Sequence, residues 1–308
     1  MSGGVFLGTS DFASGVLGHL AESRFRPSLV VTLPDRPQGR GRREQPSPVA
    51  VAAAGLEIDL IKSQDVNREA DREMIRAHSS GRDAICAFGQ LIREPLLSEV
   101  PLLNVHPSLL PRWRGAAPIE RAIMAGDLET GVCIMKLTAG LDSGPVAVCE
   151  EVEIGPEEDF GSLSGRLADL GGRLLIQTFE ALAEDRVEWT EQKEDLATYA
   201  EKVEAVDRDV DLREDAQACH DRVRALTPHI GARLELAGGE RLGVLETGVV
   251  SDSSLAPGQA EVVDDRLLVG CAAGALELVE VRPPGKKEME GAAFVRGNGL
   301  PRTALADG

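Results

Sequence analysis

Residues 3–23 read GGVFLGTSDFASGVLGHLAES, and their pattern decides the fold class. Val5, Phe6 and Leu7 form an apolar run too short for a helix and suited to a buried strand. Gly8 breaks the run, and Thr9, Ser10 and Asp11 are residue types that open helices. From Phe12 onward the apolar residues follow a helical spacing. The stretch therefore reads as strand, turn and helix. Outward from it the same alternation recurs. SLVVTLP (28–34) is a second strand-length run closed by Pro34, and GLEIDLI (55–61), DAICAFG (83–89) and LLNVH (102–106) are further strand candidates. NREADREMIRAHSS (67–80) is a helix between two of them. Strands alternating with helices predict an α/β domain built on a parallel sheet. Ligands of such sheets bind beyond the carboxyl ends of the strands, so residues 8–11, 34–35, 88–89 and 104–106 are expected along one edge.

The character of the chain changes in its last third. After a helix over DFGSLSGRLADLGGRLLIQTFEALAED (159–185) comes a charged, polar stretch, then one helix (213–226) and a series of short strands: GARLELAG, ERLGVLETGVV, AEVVDDRLLVGCA and ALELVEVRP. Short strands broken by Gly and Asp predict a small β-barrel domain. The expected division is a catalytic domain over 1–186, a linker over 187–206 and a β-barrel domain over 207–308. A chain of 308 residues can bury a core in each. The N-terminal segment has no basic start and too short an apolar run for a signal peptide, and no apolar stretch reaches spanning length. The five cysteines, Cys86, Cys133, Cys149, Cys219 and Cys271, form no CxxC pair, so neither a zinc site nor a disulfide framework is expected. They read as small buried hydrophobes of a cytoplasmic protein. A net charge of −18 argues against a generic nucleic-acid coat, although it leaves room for a local basic surface.

The chemistry is concentrated in NVHPSLLPRWRGAAP (104–118). Residues two apart on a strand share a face, so Asn104 and His106 project together from a strand end. Pro107 cannot donate to a ladder and helps to stop the strand, and the stiff SLLPRWRG turn can wall a pocket beside the pair. A buried His–Asn pair without chemistry is the plain alternative; the strand-end setting favours function. TAGLDSGPV (138–146) supplies a carboxylate, Asp142, able to orient a histidine and support its proton transfers. By spacing alone, an ordinary turn aspartate fits that position at least as well. No GxGxxG follows the first strand, no GxxxxGK[ST] occurs, and no GxSxG elbow is present, which disfavours dinucleotide binding, a P-loop and a serine hydrolase. PDRPQGRGRREQPSP (34–48) places Arg36, Arg40, Arg42 and Arg43 in what reads as a mobile basic loop with no apolar face to bury. Cations beside a strand-end pocket can attract a phosphate backbone.

These residues resemble a known family. Asn104-x-His106 followed by SLLPRWRGAAP, with Asp142 in GLDSG, is similar to the signature of formyltransferases that use 10-formyltetrahydrofolate. FLGTSDFA, PDRPQGRGR with PSPV, ETGVCIMKL, ATYAEK and RPPGKKEM resemble the branch acting on methionyl-tRNA, and together they run from residue 5 to about 290. The resemblance implies a Rossmann-like N-terminal formyltransferase domain and a smaller OB-like β-barrel domain. It implies transfer of a formyl group from 10-formyltetrahydrofolate to the methionine amine of initiator Met-tRNA, for the start of translation. Asn104, His106 and Asp142 would be catalytic. Ser108, Leu109, Leu110 and Pro111 would hold the folate, with Phe88, Leu91 and Ile92 as apolar walls for the pterin or, alternatively, as plain core. Arg36, Arg40, Arg42 and Arg43 would clamp the tRNA, extended by Lys286 and Lys287. Neither metal nor covalent intermediate is needed, and a monomer is expected. Ser10 stands where the family usually has proline, DVDL (209–212) replaces a usual RIDW, and TPHIGA (227–232) replaces NPWPGA, with the expected loss of an aromatic surface.

Overall fold

The computed structural model describes residues 3–38 and 43–305. In chain order its first elements are β1 (Val5–Gly8), α1 (Asp11–Glu22), β2 (Leu29–Thr32), β3 (Arg36–Gln38), β4 (Arg43–Gln45), α2 (Pro48–Gly55), β5 (Asp59–Lys62), α3 (Glu69–His78), β6 (Asp83–Cys86), α4 (Leu96–Glu99) and β7 (Leu102–His106). Then follow β8 (Arg114–Gly115), α5 (Pro118–Met124), β9 (Glu129–Lys136), β10 (Val146–Glu153), α6 (Phe160–Ala183) and β11 (Tyr199–Ala200). The last are α7 (Ala216–Leu226), β12 (Ala232–Glu235), β13 (Arg241–Val250), β14 (Ala260–Val263), β15 (Arg266–Gly270), β16 (Ala275–Arg282), β17 (Met289–Glu290) and α8 (Gly291–Asn298). Two compact units divide the chain. The first takes Met1–Pro118, Glu129–Val152 and Ser164–Ala200; the second takes Ile119–Leu128, Glu153–Leu163 and Glu201–Gly308. None of the described helices is long and apolar enough to cross a membrane.

The first unit carries a seven-stranded sheet in the order β10-β9-β7-β6-β1-β2-β5. The five strands from β5 to β7 pair in parallel, as the strand–helix alternation predicts. β9 pairs with β7 antiparallel, a departure from the all-parallel reading. The strands of β1, β2 and β6 are buried along their whole length, because a parallel sheet is covered on both faces. Val5, Leu7, Leu29, Val31, Ile85 and Leu102 form one apolar cluster with Ile75, Phe88, Ile92 and Leu96. α1 begins where expected: Ser10 caps it by accepting from the Ala13 amide at 3.2 Å, so serine serves the turn where a proline is usual. Because Gly8 pairs with Cys86 and Asn104 with Ile85, the carboxyl ends of β1, β6 and β7 lie on one edge. Thr9 ties two of them by donating from its hydroxyl to the Phe88 carbonyl at 2.7 Å.

Two expectations need correcting. The basic segment is not wholly a loop: β3 and β4 form a short antiparallel ladder, Arg36 opposite Gln45 and Gln38 opposite Arg43. Cys133 on β9 and Cys149 on β10 are joined by a disulfide, against the reading that no pair would form. The two cysteines sit on adjacent strands, which a separation of 16 residues does not reveal. Cys86, Cys219 and Cys271 are free and buried, and burial pushes the Cys86 thiol well up.

The second unit is an antiparallel sheet in the order β12-β13-β16-β15-β14, with β17 beside β16. Irregular register around Glu246 bends β13, and Asp264 and Asp265, both at positive φ, make the two-residue turn from β14 to β15. Among the described residues, β12 and β14 end the order. α7 packs Cys219, Val223 and Leu226 onto Leu242, Val244, Leu267 and Leu276 to form this unit's core. In the segment that departs from the family pattern, the His229 ring stacks on Phe160 with centroids 3.6 Å apart.

Candidate active site

The three expected catalytic residues converge at the end of β7. Asn104 and His106 leave the same face of the strand, while Val105 between them is buried on the other. β9 returns beside them, with Cys133 opposite His106 and Met135 opposite Asn104. The chain then turns through the 138–145 loop, which brings Asp142 back to the pair. Asn104 Nδ2 donates to Asp142 Oδ1 at 3.1 Å. His106 Nδ1 lies 3.8 Å from Asp142 Oδ2, with side chains only 5% and 14% exposed. Electrostatic interactions this far from water are weakly screened.

The carboxylate is held on both oxygens, since the Gly115 amide donates to Oδ2 at 2.9 Å. Gly115 has to be glycine: its φ is +127°, and a Cβ there would sit 2.6 Å from the Ala200 carbonyl oxygen. Asp142 itself has φ +44°, a left-handed conformation that Asp tolerates better than most residues and that marks an imposed position. The other ring nitrogen of His106, Nε2, faces the Trp113 carbonyl at 2.9 Å. A carbonyl only accepts, so Nε2 carries the hydrogen of this bond. Trp113 is also at positive φ, +62°. The stiff turn after Pro107 thus does more than wall a pocket, because its backbone grips both members of the histidine–aspartate pair.

That turn is closed from within and strapped from without. Ser108, fully buried, donates from its hydroxyl to the Arg112 carbonyl at 2.6 Å, and its amide donates to the His106 carbonyl at 2.9 Å. The Leu110 amide reaches Cys133 Sγ at 3.3 Å, and Leu110–Pro111 is a cis peptide. Leu109, Leu110 and Pro111 are partly exposed beside the site. Of the apolar candidates, Phe88 and Ile92 are buried in the core and support the sheet edge, whereas the Leu91 side chain is 64% exposed. The strap is the segment from Thr190 to Ala200. Thr198 accepts the Trp113 amide on its hydroxyl at 2.9 Å, β11 pairs with β8, and Ala200 accepts from Ala116 at 2.8 Å. Gln192 donates to the carbonyls of Asp142 and Gly144 at 2.9 and 2.8 Å.

Sequence reasoning missed Trp113, Arg114, Gly115 and Gln192. The WRG triplet offered a signal in its unusual density of Trp, Arg and Gly. Gln192 offered none, since it lies in a polar run that reads as a connector. Among the basic candidates, Arg36 is exposed on β3, and Arg43 begins β4. Arg40 and Arg42 lie outside the described residues. Lys286 and Lys287 are exposed between β16 and β17, where Lys286 Nζ reaches Asn298 Oδ1 at 3.2 Å.

Comparison with known proteins identifies the family. Residues 5–179 match the formyl transferase family, and residues 202–299 match the formyl transferase C-terminal domain. A methionyl-tRNA formyltransferase from Methylobacterium sp. (strain 4-46) is 40% identical, covering 98% of each chain. One from Methylococcus capsulatus is 39% identical over 96% of this chain and 97% of its own. Among solved structures, an N-formyltransferase from Helicobacter canadensis, in complex with folinic acid and dTDP-3-aminofucose, has the same fold, with a TM-score of 0.66 at 13% identity over 90% of this chain and 99% of that one. HypX from Aquifex aeolicus, in complex with tetrahydrofolic acid, superposes with a TM-score of 0.65 at 16% identity over 94% of this chain and 46% of that one. With that likeness extending over both domains and nearly every residue, the chain belongs to the formyl transferase family, in its methionyl-tRNA formyltransferase branch.

Proposed function

We propose that this chain transfers the formyl group of 10-formyltetrahydrofolate to the α-amine of methionine on initiator Met-tRNA, in the cytoplasm, as a step that prepares translation to start. The observation that carries the reading is the convergence of Asn104, His106 and Asp142 at one strand end, in a chain whose full-length relatives are methionyl-tRNA formyltransferases. The compartment follows from the substrates rather than from the cysteines, two of which are bonded.

The chemistry is addition and elimination at the formyl carbon. The deprotonated amine forms the new C–N bond while the carbonyl π pair moves to oxygen, giving a tetrahedral oxyanion. One amide hydrogen of Asn104 is held by Asp142, which leaves the second for that oxyanion. His106 is the second donor; an oxygen arriving beside Nε2 competes with the Trp113 carbonyl for its hydrogen. Asp142 accompanies the cationic form of His106 and helps to carry away the amine proton, through water or directly. Collapse of the oxyanion breaks the bond to the folate nitrogen, which takes up a proton. A preorganised donor of this kind is worth about 2.7–4 kcal/mol of barrier.

The folate lies along residues 108–111, with the exposed Leu91 as an apolar surface and Phe88 and Ile92 beneath. Arg36, Arg40, Arg42 and Arg43, with Lys286 and Lys287, supply cations for the tRNA backbone. The protein acts as a monomer, and its antiparallel domain closes as an OB-like barrel.

The test is formyl transfer by purified protein, supplied with 10-formyltetrahydrofolate and, in separate reactions, Met-charged initiator tRNA, Met-charged elongator tRNA, free methionine and an amino-sugar nucleotide. Formylation of the initiator alone is the expected result. Folate consumption with no formyl-tRNA, or a preference for the amino sugar, overturns the reading.

A further inference from the structure

Outside the three expected catalytic residues, a polar chain runs from the exposed Glu194 through the buried Arg114 and the half-buried Gln192 into the site. Gln192 sits on the strap that follows α6. Its Nε2 donates one hydrogen to the Asp142 carbonyl at 2.9 Å and the other to the Gly144 carbonyl at 2.8 Å. Its Oε1 accepts from Arg114 Nε at 3.0 Å. Arg114 is 2% exposed, and its Nη1 makes two bonds, at 2.9 and 2.8 Å, to the Glu194 carboxylate. The amide can adopt only this orientation. Turned over, its oxygen would face two carbonyls and its NH₂ would face a guanidinium, neither of which can pair.

We propose that Gln192 is a positioning residue for formyl transfer, clamping the Asp142–Gly144 backbone and so fixing where the Asp142 carboxylate meets Asn104 and His106. The proposal rests on the function argued above. Asp142 is held at positive φ, an arrangement that persists only when its surroundings enforce it. Asn104 and Gly115 hold the carboxylate, and among the described residues only Gln192 spans the two carbonyls of the turn that carries it. Glutamine is needed rather than glutamate, since a carboxylate keeps the partner of Arg114 and loses both donations. Arg114 is the support: its Nη2 has no partner among the described residues, so removing Gln192 would leave a second buried nitrogen of the same guanidinium unpaired.

The experiment compares wild type, Gln192→Glu, Gln192→Met, Asp142→Asn and the double variant Asp142→Asn/Gln192→Glu. The acceptor is Met-charged initiator tRNA and the donor 10-formyltetrahydrofolate. Hydrogen–deuterium exchange over residues 138–145 is read on the same proteins. Gln192→Glu is expected to lower kcat by roughly 10- to 100-fold with KM for both substrates within about threefold, and to speed exchange in that loop. In the Asp142→Asn background the same change should lower kcat by less than about threefold, because its target is already disabled. Should Gln192→Glu fail to fold, Gln192→Met, of similar volume, is read in its place. Unchanged kcat in an active enzyme, an equal loss in both backgrounds, or unaltered exchange in the loop overturns the proposal. If wild type does not formylate the tRNA but the loop still loosens, the assigned reaction falls while the clamp on Asp142 stands.

Discussion

Two histidines of this chain are almost equally buried, and each lies near a carboxylate, yet they are built differently. His106, at the end of β7, has Nε2 on the Trp113 carbonyl and Nδ1 facing Asp142. His220, on α7 of the second unit, faces the Thr247 hydroxyl with Nδ1 at 2.9 Å and the Pro156 carbonyl with Nε2 at 3.4 Å. A neutral imidazole satisfies both of those partners at once, donating to the carbonyl and accepting from the hydroxyl. Its nearby carboxylate, Glu157, is 3.5 Å away and 75% exposed to solvent. Asp142 is 14% exposed and tied by Asn104, Gly115 and, through its backbone, Gln192. The lesson is that burial and a neighbouring acid do not distinguish a working histidine. What distinguishes it is whether the acid is itself held in place, at a cost in backbone conformation.

The comparison is tested most severely at the oxyanion donor. Asn104→Ala should reduce turnover by about 10²- to 10³-fold while the thermal unfolding midpoint stays near wild type, measured by single-turnover formylation and calorimetry. Next comes the tether: Gly115→Ala should force the turn against Ala200 and displace the Asp142 contact, lowering kcat by roughly 10- to 100-fold. Normal turnover in that variant would mean that the carboxylate is not held from this side. For the second histidine the expectation reverses. Thr247→Val removes the hydroxyl facing a buried ring, so denaturant unfolding should show a loss of about 1–3 kcal/mol with kcat unchanged.

The smallest effect concerns an ion pair elsewhere in the second unit. Arg121 makes two hydrogen bonds to Asp207, at 3.2 and 2.9 Å, and holds its carboxyl below the usual carboxylate range. A depressed folded-state value contributes stability above the ordinary pKa of about 4 and loses it as pH falls through the folded value. Wild type should therefore exceed Arg121→Ala by about 1 kcal/mol near neutrality. The margin should narrow below pH of about 4, without vanishing, because the bonds from Arg121 to the Glu201 and Lys202 carbonyls do not titrate. Urea titrations at both ends of the range check this.

Much of this was legible in the sequence because local rules and tertiary structure agree. The apolar runs ending at Gly8, Pro34 and His106 are strands, and Ser10 caps α1 as its residue type predicts. Asn104 and His106 share a face by the period of a strand, and the motif that carries them pointed to Asp142. The antiparallel return of β9 was not legible, since strand direction depends on a connection whose path no local pattern states. The Cys133–Cys149 bond depends on a further pairing of the same kind, β10 beside β9. Gln192 and Thr198 were hidden for a related reason. They act through side-chain bonds to backbone groups 50 and 85 residues away, in a segment whose composition reads as a connector. Chemistry borne by side chains left a motif, whereas the backbone grip on that chemistry did not.

The most direct measurement is the single-turnover rate of formyl transfer to Met-charged initiator tRNA by His106→Ala and His220→Ala, run side by side with wild type. His106→Ala should be slowed by about 10²-fold or more, and His220→Ala, assayed below its lowered melting temperature, should run at the wild-type rate. Equal losses in the two variants would contradict the account, as would a His106→Ala protein that transfers at full speed.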